Sequence, residues 1–261
     1  MSKFVTLFSS SSGNSACLLC GDTGILFDCG KSARTVLARL REAGIDPGCI
    51  RAICITHEHS DHISALEVLS GKLGCPVYAS EPVAEYLVRH TPPRSELRVA
   101  ESGGFEVGGI FVRPFPTPHD SVGPLGYTAH TADERTVGVA TDLGHLSADV
   151  VRSLSGCDLV LLESNYDPVM LAHSSYPMSL RRRIDGRFGH LSNNDCAGFL
   201  PKLVEAGTTR VLLGHISREN NTLELVGGSA RTSLEAAGMR EGSDYLLAVS
   251  PRDELGRVFS F

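Results

Sequence analysis

Short apolar runs, each closed by glycine, asparagine or aspartate, open the chain: Lys3 to Phe8, Ala16 to Cys20 and Gly24 to Asp28. Runs of that length between turn formers predict a β-meander, with Ser9-Ser10-Ser11-Ser12-Gly13-Asn14-Ser15 as its first turn. The period then lengthens to that of an amphipathic helix, capped by Ser32, passing through Leu37 and Leu40 and stopping at Gly44. A buried strand follows from Ile50 to Ile55. From there strand and helix patterns alternate: a helix from about Ile63 to Leu73, a strand from Pro76 to Ala79 and a helix from about Pro82 to His90. Phe105 to Val107 and Ile110 to Phe115 read as a hairpin turned by Gly108-Gly109, and Gly126 to Thr131 and Thr136 to Thr141 as another strand pair. A helix near Ser147 to Leu154, a strand from Asp158 to Leu162, a short helical stretch carrying Arg181-Arg182-Arg183, a helix opening at Gly189 to Asn193 and reaching Glu205, and a strand from Thr209 to Gly214 complete the pattern. Such a mixture predicts an α/β fold whose crevice lies beyond the strand ends.

The 261 residues, 42% of them hydrophobic, suffice for one large core, and neither a repeat nor a long linker divides them. A single domain spanning 1–261 is expected. No apolar stretch reaches membrane-spanning length, and Met1 to Phe8 lacks the basic start of a signal peptide, so the expected compartment is cytoplasmic. The eight cysteines are scattered, which fits reduced thiols; Cys17 and Cys20, three apart in a strand, would face opposite sides. A net charge of −6 disfavours nucleic-acid binding by bulk attraction, although two divalent ions would add four positive charges at a site.

The residues most charged with chemistry are Thr56-His57-Glu58-His59-Ser60-Asp61-His62, directly behind the buried run. On an extended turn His57 and His59 can converge on one ion, while Asp61 and His62 can reach a second. Imidazole and carboxylate ligands without thiolate suit zinc, manganese or iron at a catalytic site with an open position. A lone histidine here would read as a solvated loop residue; this density does not. Ligand types recur at other strand ends, at Asp28, His119, Asp142, Glu163 and His215.

Thr-His-Glu-His-Ser-Asp-His followed by isolated His, Asp and His resembles the metallo-β-lactamase superfamily of two-metal hydrolases, over nearly the whole chain. The resemblance implies a four-layer αββα sandwich. It implies that His57, His59 and His119 hold one divalent ion, that Asp61, His62 and His215 hold the other, and that Asp142 bridges them with a water or hydroxide. Asp28 would support the histidine loop from behind, and Asp61 would help orient the nucleophile.

Glu163 and His190, the latter in Gly-His-Leu-Ser, resemble the carboxylate–imidazole pair of ribonuclease Z-like nucleases, in which the imidazole faces the scissile phosphate. The Ser-rich opening, Leu-Glu-Ser-Asn-Tyr-Asp, the Tyr-Pro-x-Ser-Leu-Arg-Arg-Arg-Ile run and His-Ile-Ser-Arg-Glu-Asn-Asn-Thr are similar to the YycJ/WalJ group of bacterial proteins. The implied activity is 5′ to 3′ exonucleolytic degradation of nucleic acid, DNA ahead of RNA. Unlike the larger nucleases of the superfamily, the interval from Asp142 to His215 leaves no room for a β-CASP clamping domain, so Arg181, Arg182, Arg183, Arg187 and the Ser12-Gly13-Asn14 turn are the candidate strand contacts. A glyoxalase II-like thioester hydrolase would use the same ligands without needing Glu163 and His190, and a non-catalytic metal-binding regulator is the remaining class. Oligomeric state is not legible in the sequence.

Overall fold

In the computed structural model, which describes all 261 residues, the chain forms two seven-stranded sheets packed face to face with helices outside both. The first half runs β1 (Ser2–Ser10), β2 (Gly13–Cys20), β3 (Thr23–Phe27), α1 (Ala33–Glu42), β4 (Ile50–Cys54), α2 (Ser60–Ile63), α3 (Leu66–Leu73), β5 (Val77–Ala79), α4 (Glu81–His90) and β6 (Leu97–Val99). The second runs β7 (Phe105–Val107), β8 (Ile110–Pro116), β9 (Leu125–His130), β10 (Thr136–Ala140), α5 (Ala148–Leu154), β11 (Leu159–Glu163), α6 (Pro168–His173), α7 (Met178–Ile184), α8 (Asn193–Glu205), β12 (Arg210–Gly214), α9 (Leu223–Ala236) and β13 (Leu246–Val249). A final strand, β14 (Phe259–Ser260), crosses back to pair with β1, so the first sheet is ordered β14-β1-β2-β3-β4-β5-β6 and the second β13-β12-β11-β10-β9-β8-β7.

The layers follow from side chains alternating across each strand. Phe4, Leu18, Ile25 and Phe27 meet Val112, Tyr127, Leu159 and Leu161 between the sheets. Their neighbours Val5, Cys17, Leu26 and Ile53 point outward onto Val36, Leu40, Leu66, Val83 and Leu87 of α1, α3 and α4. Val160, Leu162, Val211 and Leu213 do the same against α5, α8 and α9. Strands buried on both faces explain why the runs read as continuously apolar rather than alternating. This is the four-layer αββα sandwich. Cys17 and Cys20 fall on opposite faces, and no helix is long and apolar enough to cross a membrane.

Several elements differ from expectation. The serine-rich turn is only Ser11 and Ser12, because β1 runs on to Ser10 and β2 starts at Gly13, with Ser9 paired to Asn14. Ser9, Ser10, Asn14 and Ser15 are buried, and only Ser11 and Ser12 are exposed. The helix expected from Ile63 to Leu73 is two, α2 and α3, since the Ala65 N–H leaves the helical ladder to donate to Cys29 O at 2.9 Å. The Ser32 cap and the Gly108-Gly109 hairpin stand as read: Ser32 Oγ accepts from Thr35 N, and both glycines take positive φ. β6, α6, α9, β13 and β14 are further elements, beyond those expected from the sequence pattern.

The candidate active site

Three of the strands that end at this rim deliver a polar side chain through a left-handed residue just past the strand end. Asp28 after β3, Asp142 after β10 and His215 after β12 have φ of 60°, 59° and 52°. Left-handed backbone costs a non-glycine residue roughly 1 kcal/mol or more, and it persists where neighbours over-determine it. They do here. His215 N–H donates to Ser9 Oγ at 2.7 Å, and Asn165 Nδ2 donates to His215 O at 2.8 Å. Asp28 is locked by Thr56, whose N–H and Oγ–H reach its two carboxylate oxygens, each at 2.8 Å.

That lock fixes the direction of the neighbouring imidazoles. His62 Nδ1–H donates to Asp28 Oδ2 at 2.8 Å, so Nε2 faces the rim. Thr56 Oγ–H donates to Asp28, so the same oxygen accepts from His57 Nδ1–H at 2.9 Å, which turns the His57 Nε2 lone pair the same way. His119 Nδ1–H is held by Gly189 O at 2.8 Å, freeing its Nε2 likewise. These nitrogens crowd together with little to share: His57 Nε2 lies 3.0 Å and His119 Nε2 3.4 Å from His59 Nδ1. His57, His59 and His119 form one group whose ligand atoms lie within 4.8 Å of one another, and Asp61, His62 and His215 form a second. Asp142 lies between them, 3.1 Å from His62 Nε2, 2.6 Å from His215 Nδ1 and 3.6 Å from His119 Nε2.

Burial and the carboxylates set the charges of these side chains. Burial, aided by His62, holds His57 well below the ordinary histidine range and keeps it neutral; burial also lowers His119. Burial opposes charge on His62 and His215, but Asp142 and the other carboxylates outweigh it, raising His62 well above its usual value and His215 to about 9. Asp142 goes the opposite way: His215, His62 and His57 hold it ionised against the cost of burial. Such sets of aimed lone pairs and carboxylates, with no thiolate among them, fit divalent cations with nitrogen and oxygen ligands.

Beside the two groups, His190 Nδ1–H donates to Glu163 Oε1 at 2.8 Å. Glu163 is completely buried, and its other oxygen accepts from Leu143 N at 2.7 Å and Leu191 N at 3.2 Å. Ser11, His59, Ser60, Asp61, Asp142, Arg183, His190 and His215 together line a cleft of about 290 Å³.

The model of the family described as Beta-lactamase superfamily domain matches residues 23–216, which contain both ligand groups, Asp142 and the Glu163–His190 pair. The chain belongs to the metallo-β-lactamase superfamily. It is similar to Exodeoxyribonuclease YycJ of Bacillus anthracis, 32% identical over 245 residues that cover 93% of this chain and 92% of that one. It is also similar to Exodeoxyribonuclease WalJ of Streptococcus pneumoniae serotype 2 (strain D39), 34% identical over 250 residues with 93% and 92% covered. In fold it matches the metallo-β-lactamase fold protein YhfI from Bacillus subtilis, with a TM-score of 0.74, 18% identity and 99% and 98% of the two chains covered. As a member of this superfamily the chain is a metal-dependent hydrolase.

Of the expected strand contacts, only Arg183 reaches the superfamily cleft, and there it grips Asp120 through Nε at 2.5 Å and Nη2 at 3.0 Å. Arg181 and Arg182 line a neighbouring groove of about 260 Å³ with Tyr166, Leu171, Met178 and Asp185, and Arg181 donates to Ala172 O at 2.6 Å. Arg187 is exposed, and its carbonyl accepts from His145 Nδ1. Ser12 is exposed and accepts from Arg218 Nη2 at 2.9 Å. Asn14 is buried, not open to a strand: its Nδ2 donates to Ser10 O and faces Asp61 Oδ2 and His62 Nε2, both at 3.1 Å. Glu58, inside the histidine motif, points away and accepts from Ser121 Oγ and Val122 N, tying the loop beside His119. Its two hydrogen bonds, not its place in the motif, reveal that task. His173, His90 and His130 bond locally and stand outside the cleft.

Proposed function

We propose that residues 1–261 act as a single domain without a clamping insertion, and that it is a nuclease which hydrolyses phosphodiester bonds of DNA from the 5′ end. The pairing of buried Glu163 with His190 at the edge of the ligand groups is the observation that carries this reading. A thioester hydrolase needs no such pair, and the cleft's lining holds no apolar residue to receive an acyl chain. The names of the YycJ and WalJ relatives favour DNA as the polymer.

His57, His59 and His119 would hold one divalent ion, Asp61, His62 and His215 a second, and Asp142 would serve both; zinc or manganese suits these donors, and iron is compatible. When bound, such ions supply Lewis acidity toward a phosphate oxygen and lower the pKa of water to near neutrality. The chain's own residues do the rest. Asp61 and Asp142 orient the attacking oxygen. Glu163 holds the Nδ1–H of His190 and so leaves Nε2 as the ring's other nitrogen, which, when it carries a proton, would donate a hydrogen bond or that proton toward the departing oxygen, a contribution of about a hundred- to ten-thousand-fold. Arg183 neutralises the strand beside the cleft. Eight unpaired thiols suit work in a reducing cytoplasm.

Digestion of 5′- and 3′-labelled single- and double-stranded DNA and RNA by metal-reconstituted protein, beside a thioester, tests the proposal. Mononucleotide release from the 5′ end of DNA is expected; thioester turnover without nucleic-acid cleavage would overturn it.

A further inference from the structure

The cleft that would take the phosphate offers no surface to a base, since none of its eight lining residues is apolar or aromatic apart from imidazole ligands. A base flanking the cleaved bond must therefore rest on the rim. The chain has no tryptophan, and only two aromatic residues are exposed, Phe111 at 38% and Phe188 at 55%. Phe111 carries the Arg113 guanidinium 5.7 Å from its ring centroid. Phe188 stands two residues from His190 and five from Arg183, and neither an aromatic ring nor a guanidinium covers it.

Its backbone cannot withdraw the ring. Phe188 O accepts from Asp120 N at 2.9 Å, Gly189 O accepts from His119 Nδ1 at 2.8 Å, and His190 N donates to Ile184 O at 2.9 Å. On the other side, Gly144 comes so close that a Cβ there would sit 2.2 Å from Arg187 O and 2.6 Å from Phe188 N. A segment pinned at several points, among them His119, thus holds an apolar ring in water two residues before His190, on the stretch that follows the helix whose Arg183 faces the cleft.

Resting on the nuclease reading, we infer that Phe188 is the stacking platform for a nucleobase next to the cleaved phosphate, with Arg183 supplying the complementary charge. Bases stack on aromatic faces without regard to sequence, which suits an enzyme that must advance along a strand.

The test is a cycle between the ring and the base. Wild-type and Phe188→Ala holoenzymes are compared on single-stranded DNA, intact or carrying one abasic position placed in turn on either side of the cleaved bond. Phe188→Ala should raise KM for intact DNA about tenfold with kcat and bound metal little changed, and Phe188→Trp should restore it. At one position the abasic strand should cost wild type a similar factor and cost Phe188→Ala nothing more. Multiplicative losses at every position, or a Phe188→Trp enzyme as weak as Phe188→Ala, would overturn the platform while leaving the nuclease intact. A wild-type enzyme that turns over thioester and never DNA would remove the nuclease reading and this inference with it.

Discussion

Glu163 divides its two carboxylate oxygens between a side chain and the backbone: Oε1 holds His190, and Oε2 holds the Leu143 and Leu191 N–H groups. Those bonds leave it poorly free to ligate an ion, although Asp142, Glu163, His190 and His215 lie close enough to form a ligand group of their own. The arrangement predicts that His190→Ala keeps its metals and lowers kcat on DNA by at least about a hundredfold, with a small change in KM. Glu163→Gln should lose less, and the double variant should be no worse than His190→Ala. Loss of metal in His190→Ala would make the histidine a ligand instead.

The arginines should separate. Arg183→Ala is expected to raise KM for a polynucleotide and to flatten its salt dependence by roughly 0.7 in log–log slope, the value of one phosphate contact on a single strand. Arg181→Ala and Arg182→Ala, whose side chains lie in the adjoining groove, should change the slope less. Equal slopes across the three would place the strand over α7 as a whole rather than across the cleft.

Gly30 is the tightest point beneath the histidine loop. A Cβ there would lie 1.9 Å from Asp61 O and 2.7 Å from Asn14 N, both backbone atoms. Gly30→Ala should destabilise the fold by about 3 kcal/mol and weaken metal binding, whereas Gly103→Ala, with open space around it, should do neither. Matching melting temperatures for the two variants would refute the packing argument.

In metal-free protein, folding raises His215 to about 9 and His62 in the same direction. Their stabilisation is present in full below the unfolded histidine pKa, about 6.5, and is lost as pH rises through about 9. Chelated protein should therefore melt lower at pH 9 than at pH 7. With metal bound, cations replace those protons and the difference should shrink. Parallel declines with and without metal would contradict the assignment.

The histidine motif was legible because ligand types at such density have no structural use, and the α/β class because short apolar runs alternate with helical patterns around it; the four-layer sandwich followed only from the family resemblance that motif carries. Asp142 and His215 also stood out as polar residues ending apolar strands. What escaped was anything set by three-dimensional satisfaction. Asn14 reads as a turn residue, yet its amide is buried against Asp61 and His62. Arg183 and Arg182 are adjacent in sequence, yet a turn of short helix sends them to different hollows. The left-handed backbones of Asp28, Asp142 and His215 have no local signature, because hydrogen bonds from distant strands impose them.

The central claim, a two-metal nuclease, is tested most directly by titrating metal-stripped protein with zinc or manganese while following nucleotide release from 5′-labelled DNA. Activity should rise to a plateau at two ions per chain, and Asp142→Ala, which removes the residue between the two ligand groups, should show no such plateau. Full activity at one ion per chain, or DNA cleavage that ignores added metal, would contradict the account.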